Sequence, residues 1–207
     1  MSAAAVLAGR QAAVVTIDMH RGHLDPTVAT MPLSAEAAAR VTEANTVLID
    51  GARQRGIPVI HVVTGYHDVA EISSNPWWKR VAGTDATRAN VLHHQLPGSP
   101  GLQVMPQLLD PEQDIVVHNK KRYDCFVATE LDHVLRSRGI EVLLLTGVNT
   151  NSCVLATTIG ANSRDYLPVV VEECVDTMDP TLHEPALALI RKAFGWTART
   201  DEVLEAL

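Results

Sequence analysis

Asp18, Lys120 and Cys153 are three reactive side chains that each stand where an apolar run of this 207-residue chain ends. Asp18 closes Thr16-Ile17-Asp18-Met19-His20, and Lys120 follows Val116-Val117-His118-Asn119. Cys153 follows Leu143-Leu144-Leu145-Thr146-Gly147-Val148-Asn149-Thr150-Asn151-Ser152. A thiol attacks as its thiolate, a carboxylate can take the thiol proton, and an ammonium stabilises both anions. The set therefore reads as a nucleophile, a base and a cation. Cys153 also falls in the first turn of an expected helix, where free N–H groups and the positive dipole end lower a thiol pKa and hold an anion. Singly, each residue has a plainer reading: an Asp after a strand caps a turn, a Lys is solvated, a Cys packs as a small hydrophobe. Lys121 beside Lys120 leaves the choice of cation open. The coincidence of all three at strand ends is what argues for chemistry.

Strands and helices must bring those ends together. Strands are expected over 12–18, 57–63, 114–118, 140–146 and 167–171, with a short sixth over 196–199. Helices are expected over 34–54 with Ser34 as N-cap, 127–138, 152–164, 181–194 and 201–207. Unbroken Val/Ile/Leu strands alternating with helices specify a three-layer α/β/α fold around a six-stranded, mostly parallel, doubly wound sheet. In such sheets ligands bind beyond the carboxyl ends of the strands, where the three reactive residues fall. The stretch 64–111 carries Trp77, Trp78 and an adjacent histidine pair, and is read as one long irregular connection of functional type.

A chain of this length reads as a single domain with its core over about 12–203. Hydrophobic residues at 46% and charged residues at 20% give an ordinary soluble balance. A net charge of −7 argues against a nucleic-acid partner. No apolar run has the length of a membrane span, so no membrane partner is expected. Three scattered cysteines form no disulfide framework, which suits reduced thiols in a cytoplasm. Cys125 and Cys174 read as packing thiols.

With these pieces in view, the chain resembles the isochorismatase-like cysteine hydrolases over nearly its whole length. The resemblance rests on Val15-Thr16-Ile17-Asp18-Met19, on Lys120-Lys121-Arg122-Tyr123-Asp124-Cys125-Phe126, on Thr146-Gly147-Val148-Asn149-Thr150-Asn151-Ser152-Cys153-Val154, and on Ala161-Asn162-Ser163-Arg164-Asp165-Tyr166. It selects Lys120 over Lys121. It implies a cis Val148–Asn149 peptide and an oxyanion hole from the N–H groups of Asn149 and Cys153. It implies an amidohydrolase, similar to the N-carbamoylsarcosine, biuret and ureidoacrylate enzymes, that cleaves a small amide, carbamoyl, ureido or lactam C–N bond through a thioester-type intermediate. A homo-oligomer, dimer or tetramer, is also implied.

The chain departs from the family pattern at two places. His20 stands where many members carry Gln, and Gly65-Tyr66-His67 stands where nicotinamidases carry a metal-binding Asp-Trp-His. No metal or other cofactor is therefore expected, and His20, His23, His61 and His67 match no standard zinc spacing. Substrate-binding candidates are Thr150, Tyr123, Phe126, Trp77, Trp78 and His20. For Trp77 and Trp78 the choice between a lid and a subunit contact stays open. His93 and His94 read as solvated, and Arg122 as structurally paired with an acid. Isochorismate or nicotinamide hydrolysis and a catalytically silent interaction domain are the competing readings. A redox thiol lacks a Cys-x-x-Cys partner.

Overall fold

The computed structural model describes residues 3–84 and 88–207; residues 85–87 of the long connection lie outside the described part. Six strands form one sheet: β1 (Ala12–Ile17), β2 (Val59–Thr64), β3 (Ile115–Lys120), β4 (Val142–Val148), β5 (Leu167–Asp176) and β6 (Trp196–Ala198). Their order is β3-β2-β1-β4-β5-β6 and every pairing is parallel, so the sheet is wholly rather than mostly parallel. The chain winds outward from β1 through β2 to β3, then restarts at β4 and winds the other way. The crevice at that reversal, between β1 and β4, is the switch point where ligands bind in such sheets.

Helices cover both faces. They are α1 (Ala3–Leu7), α2 (Arg21–Leu24), α3 (Ala35–Arg53), α4 (Val69–Ser73), α5 (Pro76–Val81), α6 (Leu131–Arg136), α7 (Leu155–Asn162), α8 (His183–Leu189) and α9 (Thr200–Ala206). Period-two alternation assigns each strand residue a face. Val14, Val59, Leu144 and Val169 pack with Val41, Leu48 and Ile49 of α3 and Val203 of α9. Val15, Ile60, Leu145 and Val170 pack with Leu131 and Leu135 of α6, Ala161 of α7 and Leu187 of α8. Helix α3 begins where the sequence indicates, because the Ser34 hydroxyl accepts from the Ala37 N–H.

Several expected boundaries shift for local reasons. The helix expected over 127–138 starts at Leu131, because Ala128 has φ of 57° and the Thr129 hydroxyl accepts from the Leu131 N–H. The helix expected over 152–164 opens as a wide π turn, Thr150–Val154, before α7. The one expected over 181–194 is a 3₁₀ turn, α8 and a second π turn, Ile190–Phe194. The connection 64–111 holds α4, α5 and two 3₁₀ turns, packed on a small apolar cluster of Met31, Tyr66, Ile72, Trp78 and Val91. Among the described residues no helix is long and apolar enough to cross a membrane.

Candidate active site

The carboxyl ends of three neighbouring strands build the site. Asp18 follows β1, Thr64 closes β2 and Lys120 closes β3. The β2–β3 register shifts between Val62 and Thr64, so Thr64 pairs with Lys120 and both side chains point inward beside Asp18. Asp18 and Asn119 both adopt left-handed backbone, with φ of 54° and 64°. A non-glycine residue there is costly and persists when its surroundings hold it. At Asp18 the hold is visible: its own N–H donates to Val62 O, and its Oδ1 accepts from the Thr64 N–H at 2.9 Å and the Thr64 hydroxyl at 2.7 Å.

Lys120 joins the parts. Its Nζ lies 2.6 Å from Asp18 Oδ2, 2.9 Å from Thr64 Oγ1 and 3.4 Å from Cys153 Sγ. Both charged side chains of the pair are buried. Burial by itself would raise the Asp18 pKa, but the Lys120 charge, with smaller contributions from His20 and His23, outweighs it and holds the carboxyl well below its usual range. Burial would likewise neutralise Lys120, yet Asp18 foremost, with Cys153 and Cys125, raises its pKa and keeps it an ammonium. Lys121, the competing cation, turns away and pairs with Glu71 at 2.7 Å.

Cys153 sits in the π turn after β4. The close approach of β4 to β1 requires glycine just before it: Gly147 has φ of 104°, and a Cβ there would lie 2.0 Å from Ile17 O. The Val148–Asn149 peptide is cis. Asn149 is anchored by its Oδ1, which accepts from the Met178 N–H at 2.9 Å. The turn does not lower the thiol pKa as the sequence suggests. Burial pushes Cys153 up to about 11, the Asp18 charge adds to the rise, and Lys120 offsets it only in part. The resting group is thus a thiol beside a base rather than a preformed thiolate.

A cleft of about 410 Å³, its open mouth included, lies above the three residues. Tyr66, Trp78 and Tyr123 supply an aromatic wall, with the Trp78 indole N–H donating to Tyr123 Oη at 2.7 Å. Arg88 and Arg122 bring positive charge to the same cleft. Among the described residues no acid pairs with Arg122 as expected; it stacks on Trp78 and donates to Ser74 Oγ and the Lys121 and Glu71 carbonyls.

The other sequence candidates divide. Tyr123, Trp78 and Asn149 line the cleft. Trp77 is 64% exposed on the outside of α5. Phe126 stacks on Tyr166 in the core, and Thr150 bonds His183 Nδ1 at 3.0 Å, so neither faces the cleft. His20 is buried behind the cleft, its Nε2 3.6 Å from Asp18 Oδ1, too long for a hydrogen bond. His61 belongs to a structural network with Thr16, Asp114 and Arg53.

Sequence reasoning misses Tyr66 and Arg88 of the cleft wall, and it misses Thr64 and His94 near Asp18. Thr64 carries a legible signal, since it ends the second strand as Asp18 ends the first. His94 carries none: read as solvated, it is buried and meets His20 and His23, with ring centroids 5.5 Å and 4.7 Å away. Burial holds His23 at about 3 and His94 well below the usual imidazole range, so both are neutral.

Residues 12–202 match the model of the isochorismatase domain. The chain belongs to the isochorismatase family. It is 31% identical to the ureidoacrylate amidohydrolase RutB of Caulobacter vibrioides, over 92% of this chain and 88% of that one. The crystal structure of a cysteine hydrolase from Pseudomonas syringae pv. phaseolicola superposes with a TM-score of 0.78, covering 95% of this chain and 92% of that one at 23% identity, a likeness of fold. The N-carbamoylsarcosine amidase of Thermoplasma acidophilum superposes with a TM-score of 0.70 at 26% identity, covering 92% and 97% of the two chains. This family member therefore stands on the branch whose relatives are named as amidohydrolases.

Proposed function

We propose that this family member is a cysteine-dependent amidohydrolase that cleaves a non-peptide C–N bond of a small ureido or carbamoyl acid. The observation that carries the reading is the Lys120 ammonium lying within 2.6 Å of the Asp18 carboxylate and 3.4 Å of the Cys153 sulfur at the floor of the cleft. Amide carbonyls are poor electrophiles, so the nucleophile must be strong and the oxyanion stabilised.

The thiol proton passes to Asp18 as sulfur attacks the carbonyl carbon, and Lys120 neutralises the charge that builds on sulfur. The oxyanion is received by the N–H groups of Asn149 and Cys153. Asp18 then returns the proton to the leaving nitrogen as the C–N bond breaks, which leaves an acyl group on sulfur. Water attacks that carbonyl, its proton goes to Asp18, and the S–C bond breaks to restore the thiol. The carboxyl shuttles one proton in each half-reaction, and its burial keeps bulk water from competing for it.

The cleft supports the choice of an acid. Arg88 and Arg122 face it over an aromatic wall, a suitable receptor for a carboxylate at the far end of a planar ureido group. Ureidoacrylate and N-carbamoylsarcosine, the compounds named for two relatives, each combine a carbamoyl nitrogen with a carboxylate.

Ammonia release across ureido acids, their methyl esters, neutral amides, nicotinamide and isochorismate tests the proposal, with Cys153→Ala as the blank. Release from the acids above the blank, and an Arg122→Met variant that raises KM for the acids alone, are expected. Equal release by wild type and Cys153→Ala, or release confined to neutral amides, overturns it.

A further inference from the structure

The buried histidines beside Asp18 take no part in the chemistry above. His20 lies just past β1, His23 in α2, and His94 far downstream after the 3₁₀ turn Val91–His93. Each offers one ring nitrogen to a common point, and these atoms all lie within 4.8 Å of one another. The His20 and His23 rings stack 4.8 Å apart, and His94 is tilted against both.

The outward nitrogens are already committed. His23 Nδ1 lies 2.6 Å from Met31 O. A carbonyl only accepts, so this nitrogen carries the proton and Nε2 presents a lone pair inward. His94 Nδ1 lies 2.8 Å from Thr30 Oγ1, and with that hydroxyl accepting the Nδ1 proton the His94 Nε2 presents a lone pair as well. Outer contacts of this type fix the tautomer and orientation of metal-binding imidazoles. His20 is fully buried, and neither of its ring nitrogens has a hydrogen-bond partner among the described residues. Buried polar atoms without partners are rare, and a pair of them on one ring points to a ligand.

We propose that His20, His23 and His94 hold one divalent transition-metal ion of the zinc class, with a further coordination position open to the cleft. Three imidazoles are the donor set such ions favour over magnesium or calcium. His23 and His94 line the cleft and His20 lies behind it, so the open position faces the substrate space. Bonds of about 2.0–2.1 Å to a tetrahedral ion set the nitrogens about 3.4 Å apart, so the rings close by rotations on the order of 1 Å. The site is not the one indicated by the nicotinamidase-like segment: Gly65 supplies no ligand, and His67 is exposed and paired with Glu71. It stands independently of the hydrolase reading.

Chelator-stripped protein dialysed against buffered zinc, then analysed for metal, tests the site directly. Wild type is expected to retain about one zinc per chain, and His94→Ala and His20→Ala to bind at least ~100-fold more weakly. Thr30→Val, which alters only the outer contact, is expected to weaken binding by about 10-fold. It also keeps the test valid if a histidine variant fails to fold. Cobalt is expected to give intense tetrahedral ligand-field bands in wild type that His94→Ala loses. No retained zinc at micromolar free metal overturns the proposal. Equal retention by folded histidine variants, or by Thr30→Val, overturns it as well.

Discussion

Lys120 Nζ lies 2.6 Å from Asp18 Oδ2, and both side chains are almost wholly removed from water. A buried pair of this kind gains little net stability as a pair, because each ion loses its hydration. Removing one partner leaves the other charge stranded. Asp18→Asn and Lys120→Met are each expected to lower unfolding free energy by about 3–5 kcal/mol, with the double variant recovering most of the loss. Turnover is expected to fall at least ~10²–10⁴-fold in all three. Urea denaturation alongside ammonia release checks both halves, and recovery of activity in the double variant would remove the pair from the mechanism.

The thiol of Cys153 titrates high, at about 11, because burial and Asp18 oppose its ionisation. Cys174 is pushed up to about 12 by burial, and Cys125 higher still. Alkylation of free enzyme by iodoacetamide is expected to be slow near neutral pH and to climb towards pH 11, with Cys153 labelled first because it alone of the three lines the cleft. Since the folded pKa exceeds the roughly 8.5 of a free thiol, the thiol's stability contribution is complete below about pH 8.5. It is lost as pH rises through the folded value. Peptide mapping of the labelled protein against pH gives the answer; a labelling rate already at its plateau below about pH 8 would mean a preformed thiolate.

Asp114 anchors the other end of the sheet. Burial would raise its pKa, but hydrogen bonds with His61 and Arg53 outweigh that and pull it to about 2. The folded value lies below the unfolded one, so its contribution is present above about pH 4 and lost as pH falls through about 2. The expected size is about 1–2 kcal/mol once screening is allowed for. Asp114→Asn should flatten that part of the stability–pH curve, as measured by urea unfolding at successive pH values.

Gly147 permits the contact between β4 and β1 that brings Cys153 to Asp18. With φ of 104°, and only 2.0 Å between the place a Cβ would take and Ile17 O, the position has no room for alanine. Gly147→Ala is expected to cost about 3 kcal/mol or more. A protein of this size then loses on the order of 6–12 °C in Tm. A Tm within a degree or two of wild type would show that the turn can repack.

The reactive residues and most of the sheet are legible in the sequence because their signals are local. Apolar runs such as Leu143-Leu144-Leu145 mark buried strands whatever surrounds them, and Asp18, Lys120 and Cys153 declare themselves by following such runs. Ser34 marks the start of α3 through a hydrogen bond that spans one turn. Helix α6 is less legible, because the left-handed Ala128 and the hydroxyl of Thr129 reset its start.

What depends on partners distant in sequence is settled by the fold. The β2–β3 register shift turns Thr64 into a clamp on Asp18 and Lys120. Burial reverses the expected direction of the Cys153 pKa, because desolvation of a thiolate depends on everything packed around it. Folding also carries His94 from a loop that reads as solvated to the rings of His20 and His23. Which chemical groups stand at the strand ends follows from the order of residues alone, since side-chain type and strand periodicity are local properties. Charge state, register and the histidine cluster arise from packing between distant segments, so they exist only once the chain has folded.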